Sequence, residues 1–391
     1  MYNKGKGRVY FSINGLGLGH ASRCSELIKE MLKDGKEVYI STYGQGANYF
    51  EKLYRNVFRS AEIKYHFDNN GRLSFKLTLA REFIRAQVIL FLHIFLEFKN
   101  LAHIKPNIVI SDSRLSTIIA SYFLKLKSFV IINQIFIEIP RINPINAFLA
   151  FIKRVSERII YELTFYWWIK AKYILVPDFP PPYSISSASI RIKSFNHLKK
   201  IFFIGPLVDF SEFNFNQDIN GDFEGITVVI SGTKEERLAF LRRFIDLVSN
   251  TEIDDIFYVF TGLENLNGIK KNIKVIGYTD KYSIKKRILN SKLVILSGGH
   301  SSLLETIFYE KPFLILLLKG HTEKINNAKS LSKMGCCEYD FLEDISPEKF
   351  KALINNTLKN KKYYLNNIIK LKSMLENYFI NQNIKNILNE N

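Results

Sequence analysis

Apolar residues along this chain gather in short runs separated by longer stretches at helical spacing. In the first half the runs are Val9 to Ile13, Val38 to Ser41, Ile108 to Ser111, Phe129 to Ile132 and Tyr173 to Val176. In the second they are Ile226 to Ile230, Ile256 to Phe260, Ile273 to Ile276, Leu293 to Leu296 and Phe313 to Leu318. Strand-like runs alternating with helical stretches predict parallel sheets wound by helices. Ile204-Gly205-Pro206 closes the first set, and Asp209 to Gly225, rich in Asn, Asp and Phe and without a period, reads as a linker. The expected architecture is therefore α/β: two doubly wound, Rossmann-like domains, 1–205 and 206–391, facing across a cleft. From Pro347 onward the second carries a helical, Lys/Asn-rich tail.

Ligands of such sheets bind beyond the carboxyl ends of the strands. There the first run meets Gly15-Leu16-Gly17-Leu18-Gly19-His20, just before the helical pattern Ala21 to Leu32. Alternating glycines between a strand and a helix let a ligand approach backbone amides where the helix dipole favours an anion. Gly15, Gly17 and Gly19 are thus a candidate phosphate or acceptor loop, with His20 in its mouth. The third glycine comes one residue too early for a dinucleotide fingerprint, and the strand Glu37 to Thr42 ends without the ribose-binding carboxylate. That argues against a nicotinamide or flavin cofactor. Asp112 and Asn133-Gln134 fall at the ends of two further strands of the same set.

In the second half, Leu293 to Leu296 runs into Ser297-Gly298-Gly299-His300-Ser301-Ser302, followed by a helix over Leu303 to Tyr309. Two glycines and two hydroxyls at a helix N-terminus suit a pyrophosphate without a metal. Glu305, one turn in, is placed to accept both hydroxyls of a ribose. The plainer reading is that Ser302 and Glu305 form a capping box, as the spacing of Thr233 and Glu236 also suggests. A polar loop, Lys319 to Glu323, follows the strand Phe313 to Leu318, and a helix begins at Asn326-Asn327-Ala328.

Composition sets the surroundings. Three cysteines, Cys24 and the adjacent Cys336 and Cys337, form neither a disulfide framework nor a metal-ligand spacing, which suits a reducing cytoplasm. No signal peptide is expected, and the charge-free runs Ala86 to Leu96 and Ser128 to Ile137 are shorter than the roughly 20 residues of a membrane span. The net charge of +18 is lopsided: residues 1–205 hold 30 Lys+Arg against 14 Asp+Glu, residues 206–391 only 25 against 23. A basic first half implies an anionic partner. No nucleic-acid reader motif is present, so nucleic acid is not expected. Phe83 to Leu101 is apolar nearly all round, with Lys76, Arg81, Arg85, Lys99 and Lys105 about it; Phe165 to Trp168 is bracketed by Lys153, Arg154, Arg158, Lys170 and Lys172. Apolar anchors beside cations suit peripheral contact with an anionic leaflet.

The segments GLGLGHASR, VISDS, IINQ, IGP, GGHSSLLETIFYEKP and HTEKINNA, in that order over nearly the whole chain, resemble the two-domain GT-B glycosyltransferases, MurG-like and related archaeal and bacterial enzymes. The resemblance implies a nucleotide-sugar donor, commonly a UDP-sugar such as UDP-GlcNAc, on the C-terminal domain and an acceptor on the N-terminal one. It places the donor at Gly298, Gly299, Ser301, Ser302 and Glu305, the donor sugar at Glu323 and Asn327, and the catalytic base or transition-state partner at His20. Asp112, at the end of its strand, is a candidate to orient either His20 or the acceptor, its plainer reading being a helix cap. No cofactor or metal is expected. Ser297 and Phe313 stand eight residues before and after Glu305, so the E-x7-E pair of retaining members is absent, and an inverting reaction is implied. The acceptor expected from the basic, apolar first half is a lipid-linked or glycolipid one at the inner face of the cell membrane. Two alternatives share these features: a UDP-sugar 2-epimerase of the same fold, and a non-catalytic basic module binding lipid or nucleic acid.

Overall fold

The structure, a computed structural model, describes residues 7–62, 75–140, 146–190, 198–207, 224–264, 266–381 and 387–388, with side chains 75–84 and 375–381 left aside. The first domain runs β1 (Arg8–Ile13), α1 (Gly19–Lys33), β2 (Glu37–Thr42), α2 (Gly44–Glu51), β3 (Val57–Arg59), α3 (Phe75–Ile104), β4 (Ile108–Asp112), α4 (Leu115–Phe123), β5 (Ser128–Ile131), α5 (Ala147–Trp168), β6 (Tyr173–Val176) and β7 (Ile201–Phe203). Its sheet has the order β3-β2-β1-β4-β5-β6-β7, with every neighbouring pair parallel. The second domain runs β8 (Ile226–Val229), α6 (Lys234–Ser249), β9 (Phe257–Phe260), β10 (Gly268–Lys270), β11 (Ile273–Ile276), α7 (Lys281–Leu289), β12 (Leu293–Leu296), α8 (His300–Phe308), β13 (Phe313–Leu317), α9 (Thr322–Lys333), β14 (Cys337–Phe341), α10 (Pro347–Lys359) and α11 (Lys361–Asn381). The order there is β10-β11-β9-β8-β12-β13-β14, parallel except for β10 against β11.

The strand order of both sheets reverses at their middle, between β1 and β4 and between β8 and β12, and a crevice opens at such a point. Both glycine-rich loops sit there. The central strands are apolar on both faces because helices cover both, as Leu293 to Leu296, all fully buried, illustrate. Helix α1 packs on its sheet through Ala21, Cys24, Leu27, Ile28 and Met31, a spacing of three and four residues that forms one stripe.

The ten expected strands are all present, within a residue at each end. Four short ones, β3, β7, β10 and β14, are additional. The expected boundary at 205 is crossed from both sides. Phe179 and Ile185 pack into the core of the second domain, and Ile387 and Leu388 return to the core of the first, where Lys127 Nζ donates to Leu388 O at 3.2 Å. The linker read over Asp209 to Gly225 lies almost wholly outside the described residues.

Helix α3 is docked inside out. Its sheet-facing side includes Ile89, His93, Glu97, Leu101 and Ile104, all buried, while Val88, Phe91, Leu92, Phe95 and Phe98 are exposed. Glu97 is completely buried and accepts from Tyr10 Oη at 2.9 Å and Ser41 Oγ at 2.6 Å; Arg114 Nη2 lies 3.1 Å from its Oε1. Arg114 also donates to Ser41 and Ser60. Residues Arg85–Ile104 are long and apolar enough to cross a membrane, with a mean hydropathy of 1.2, the one such helix among the described residues. The charge-free runs understated this, since a window through Glu97 still passes. In the fold, that Glu97 holds the helix to the sheet.

Candidate active site

The first crevice is built by α1 and the ends of β4 and β5. His20 and Arg23, three residues apart at the start of α1, point along one face to Asp112, the last residue of β4. His20 Nδ1 lies 2.9 Å from Asp112 Oδ1, and Arg23 Nε donates to Asp112 Oδ2 at 2.7 Å while its Nη2 reaches Oδ1. A carboxylate only accepts, so Nδ1 carries the hydrogen and the lone pair of Nε2 is left for a substrate. Arg23 Nη2, 3.0 Å from Nδ1, is then a second donor to the same carboxylate, not a partner of the imidazole. Cys24 Sγ, at 3.1 Å, and Ser113 Oγ, at 3.2 Å, complete the shell. Complete burial alone would raise the carboxyl of Asp112, but the charge of Arg23 and the hydrogen bonds from Arg23 and His20 outweigh it and hold it well below the usual carboxylate range. Ser113, next in the chain, has a φ of +56°, a left-handed conformation rare for a serine and a local cost concentrated beside the dyad.

The second crevice is built by the turn from β12 into α8. Gly298 has a φ of +85°, and a Cβ at Gly299 would come within 2.2 Å of Ser231 Oγ, so neither position admits a side chain. The N-terminus of α8 has no side-chain cap, and its orphan amides are left for an anion. Ser302 Oγ donates to Gly299 O at 2.9 Å and does not cap the helix. The Ser302–Glu305 capping box is therefore not made. Thr233 and Glu236 do make theirs, with Thr233 N donating to Glu236 Oε2 at 2.6 Å and Glu236 N to Thr233 Oγ1 at 3.4 Å. Glu236 is further engaged by His321 at 3.0 Å and Lys324 at 3.2 Å.

The two crevices face each other. A cavity between them is lined by Ser22, Arg23 and Pro177 of the first domain and His300, Ser301 and Glu305 of the second. A Cβ at Gly19 would be 3.8 Å from Ser301 Oγ, and one at Gly17 would be 3.5 Å from Gly232 O. Burial pushes the Glu305 carboxyl up from its ordinary value, Lys281 pulling it back only in part. Glu305 thus makes no capping box and lines the cavity. Glu305→Ala is expected to weaken nucleotide-sugar binding by about 1.5 to 3 kcal/mol, the worth of a charge-assisted hydrogen bond, with the melting temperature held. Calorimetric titration beside a melting curve checks this, and a lowered melting point with unchanged affinity would return the residue to a structural role.

Two expected site residues have packing roles. A Cβ on Gly15 would lie 1.8 Å from Tyr43 O, so contact with the chain entering α2 by itself requires this glycine. Asn327, expected at the donor sugar, is completely buried, and its Nδ2 donates to Gly298 O at 3.2 Å, bracing the glycine turn from behind. Glu323 is half-buried at the start of α9 and meets Asn133 of the first domain. The sequence reading passed over Arg23, although its place three residues after His20 puts both on one helical face.

Two open parallel sheets whose switch points confront each other, one presenting an imidazole–carboxylate pair and the other an uncapped helix with a free carboxylate, define a two-domain group-transfer enzyme. Residues 7–145 match the model described as glycosyl transferase family 1, and residues 252–382 match the glycosyltransferase family 28 C-terminal domain. An uncharacterized glycosyltransferase of Methanosarcina mazei is 28% identical over 375 residues, covering 91% of each chain. Among solved structures, the glycotransferase of kitacinnamycin superposes with a TM-score of 0.64 at 13% identity, covering 96% of both chains. Acinetobacter baumannii MurG superposes with a TM-score of 0.54 at 12% identity, covering 94% of this chain and 95% of that one. The chain is a glycosyltransferase of the GT-B fold, an enzyme that transfers a sugar from a nucleotide-sugar donor.

Proposed function

We propose that this enzyme performs an inverting transfer from a UDP-linked sugar to a lipid-linked or glycolipid acceptor at the cytoplasmic face of the membrane. The observation that carries the reading is the cavity between α1 and the uncapped α8, lined by Ser22 and Arg23 on one side and by Ser301 and Glu305 on the other, with Arg23 bonded to the Asp112 that also holds His20. His20 Nε2 takes the acceptor hydroxyl proton as the acceptor oxygen bonds to the anomeric carbon. The bond from that carbon to the diphosphate oxygen breaks in the same displacement, its electron pair leaving with UDP. A single displacement inverts the anomeric centre. Fixed amides at the start of α8, with Ser301 beside them, meet the charge that develops on the leaving group and need little reorganisation to do so. Helix amides in this role require no cation. Glu305 holds the ribose, and Glu323 the donor sugar. Transfer assays with UDP-, GDP- and dTDP-sugars, read by the anomeric configuration of the product, test the reading; retention, or preference for another base, would overturn it.

The membrane part rests on the outer surface of the first domain. Helices α3, α4 and α5 pack side by side, and beside the exposed row of α3 stand Tyr122 and Phe123 of α4 and Phe148, Phe151, Ile159 and Leu163 of α5. Apolar area of this extent on one face marks an interaction surface. Phe165 and Trp168 fill the core, so the exposed anchors lie earlier in α5 than the aromatic stretch suggested. Of the basic residues, the side chains of Lys76 and Arg81 lie outside the described residues; Lys170 covers the rings of Tyr122 and Tyr166. The protein is expected to co-sediment with vesicles containing anionic lipid, to a degree that falls at high salt. Equal sedimentation with neutral vesicles would sink the electrostatic part of the proposal.

A further inference from the structure

A hydrogen bond between two side chains links the two halves of the site through a residue with no role so far. Asn133 follows β5 in the first domain and is 7% exposed. Its Nδ2 donates to Glu323 Oε1 of the second domain at 3.0 Å, and its Oδ1 faces Arg23 Nη1 at 3.4 Å. Arg23 in turn holds Asp112, and Asp112 holds His20. An unbroken chain of side chains therefore runs from the start of α9 to the imidazole. An asparagine suits its middle link because it offers a donor to the carboxylate on one side and an acceptor to the guanidinium on the other. Beside it, Thr322 Oγ1 donates to Glu138 O at 2.7 Å, so the start of α9 touches the segment after β5 at two consecutive residues.

We propose that Asn133 is a positioning residue, which seats the Glu323 carboxylate against the His20–Asp112–Arg23 cluster and so completes the transfer site only when the domains are closed. The inference rests on the reading of Glu323 as a donor-sugar contact, but the link itself is a matter of closure and is testable without substrate. The two residues differ in what a charge does to them. Asn133→Asp sets two carboxylates against each other where a hydrogen bond stood. Glu323→Gln in the same chain gives the introduced carboxylate an amide donor again, with the polarity of the pair reversed.

Small-angle scattering of the full chain, without ligand and with UDP, reads closure directly. The expected result is a larger radius of gyration for Asn133→Asp than for the wild type, and return to the wild-type value in the Asn133→Asp/Glu323→Gln pair. In parallel, calorimetry with UDP-GlcNAc and with UDP should show the single variant losing at least tenfold more affinity for the sugar nucleotide than for the nucleotide, a gap the double variant narrows. Asn133→Ala, which removes the link and adds no charge, covers the case in which the charged variant fails to fold, and is expected to show the same gap in smaller measure. Wild-type dimensions in Asn133→Asp, a radius of gyration that does not recover in the double variant, or in Asn133→Ala equal losses for UDP and UDP-GlcNAc would each overturn the proposal. Failure of the wild type to bind any nucleotide sugar would instead count against the donor reading, with the scattering comparison still deciding the link.

Discussion

Turnover should fall by about 10² to 10⁴-fold when His20 is replaced by alanine, the usual contribution of a general base. The donor, held by the other domain, should bind as before. The geometry makes the loss specific: Asp112 fixes Nδ1 as the donor nitrogen, which leaves the lone pair of the opposite nitrogen to take a proton. Asp112→Asn should reproduce part of the effect, because an amide there can present a donor to Nδ1 and favour the wrong tautomer. Single-turnover rates across pH 6 to 8, with donor affinity measured separately, check the prediction. Near-normal turnover in His20→Ala over that range would remove the imidazole from the chemistry.

The second large effect is on stability. Glu97→Ala should destabilise the protein by about 3 to 5 kcal/mol, because it leaves the guanidinium of Arg114 buried without its counter-charge. Arg114 is 4% exposed, and its Nε already lacks a hydrogen-bond partner, so nothing nearby can take over the charge. Replacing both partners by apolar side chains, Glu97→Leu with Arg114→Met, should cost less than the single change, since the desolvation penalty disappears with the pair. Denaturant titration of the three variants orders them. A Glu97→Ala protein within about 1 kcal/mol of wild type would show that the pair is not what anchors α3.

Much of this was legible in the sequence, for reasons that can be located. Buried parallel strands are continuous apolar runs, so Leu293 to Leu296 and Val9 to Ile13 announce themselves. β14, Cys-Glu-Tyr-Asp-Phe, lies at a sheet edge and is half polar, and β3, β7 and β10 are three residues each; such segments carry too little pattern to separate from turns. His20, Asp112 and the GGHSS turn were found because ligand chemistry concentrates at strand ends. Arg23 was not, because its role arises from Asp112, 89 positions away; Asn133 stood out as a strand-end residue, but its partner Glu323, 190 positions away, did not. The S-x-x-E spacing shows the limit of local reading. Thr233–Glu236 and Ser302–Glu305 share it, and only the first is a capping box, because α8 begins two residues earlier than its serine. Glu97 is the strongest case: in an apolar stretch it looks like an interruption, and in the fold it is what the helix is docked by.

The return of Ile387 and Leu388 to the first domain means that the chain crosses between the domains more than once, near residue 207 and again before residue 387. Two crossings act as a double tether. A single tether would let one domain swivel freely about the other, whereas two separated attachment points leave rotation about the line between them as the easy motion. When the Asn133–Glu323 bond opens, its partners remain at the high effective concentration of an intramolecular pair, and re-formation does not depend on protein concentration. The weak interdomain contacts can therefore break and re-form at every turnover, because holding the halves together is the work of the covalent chain.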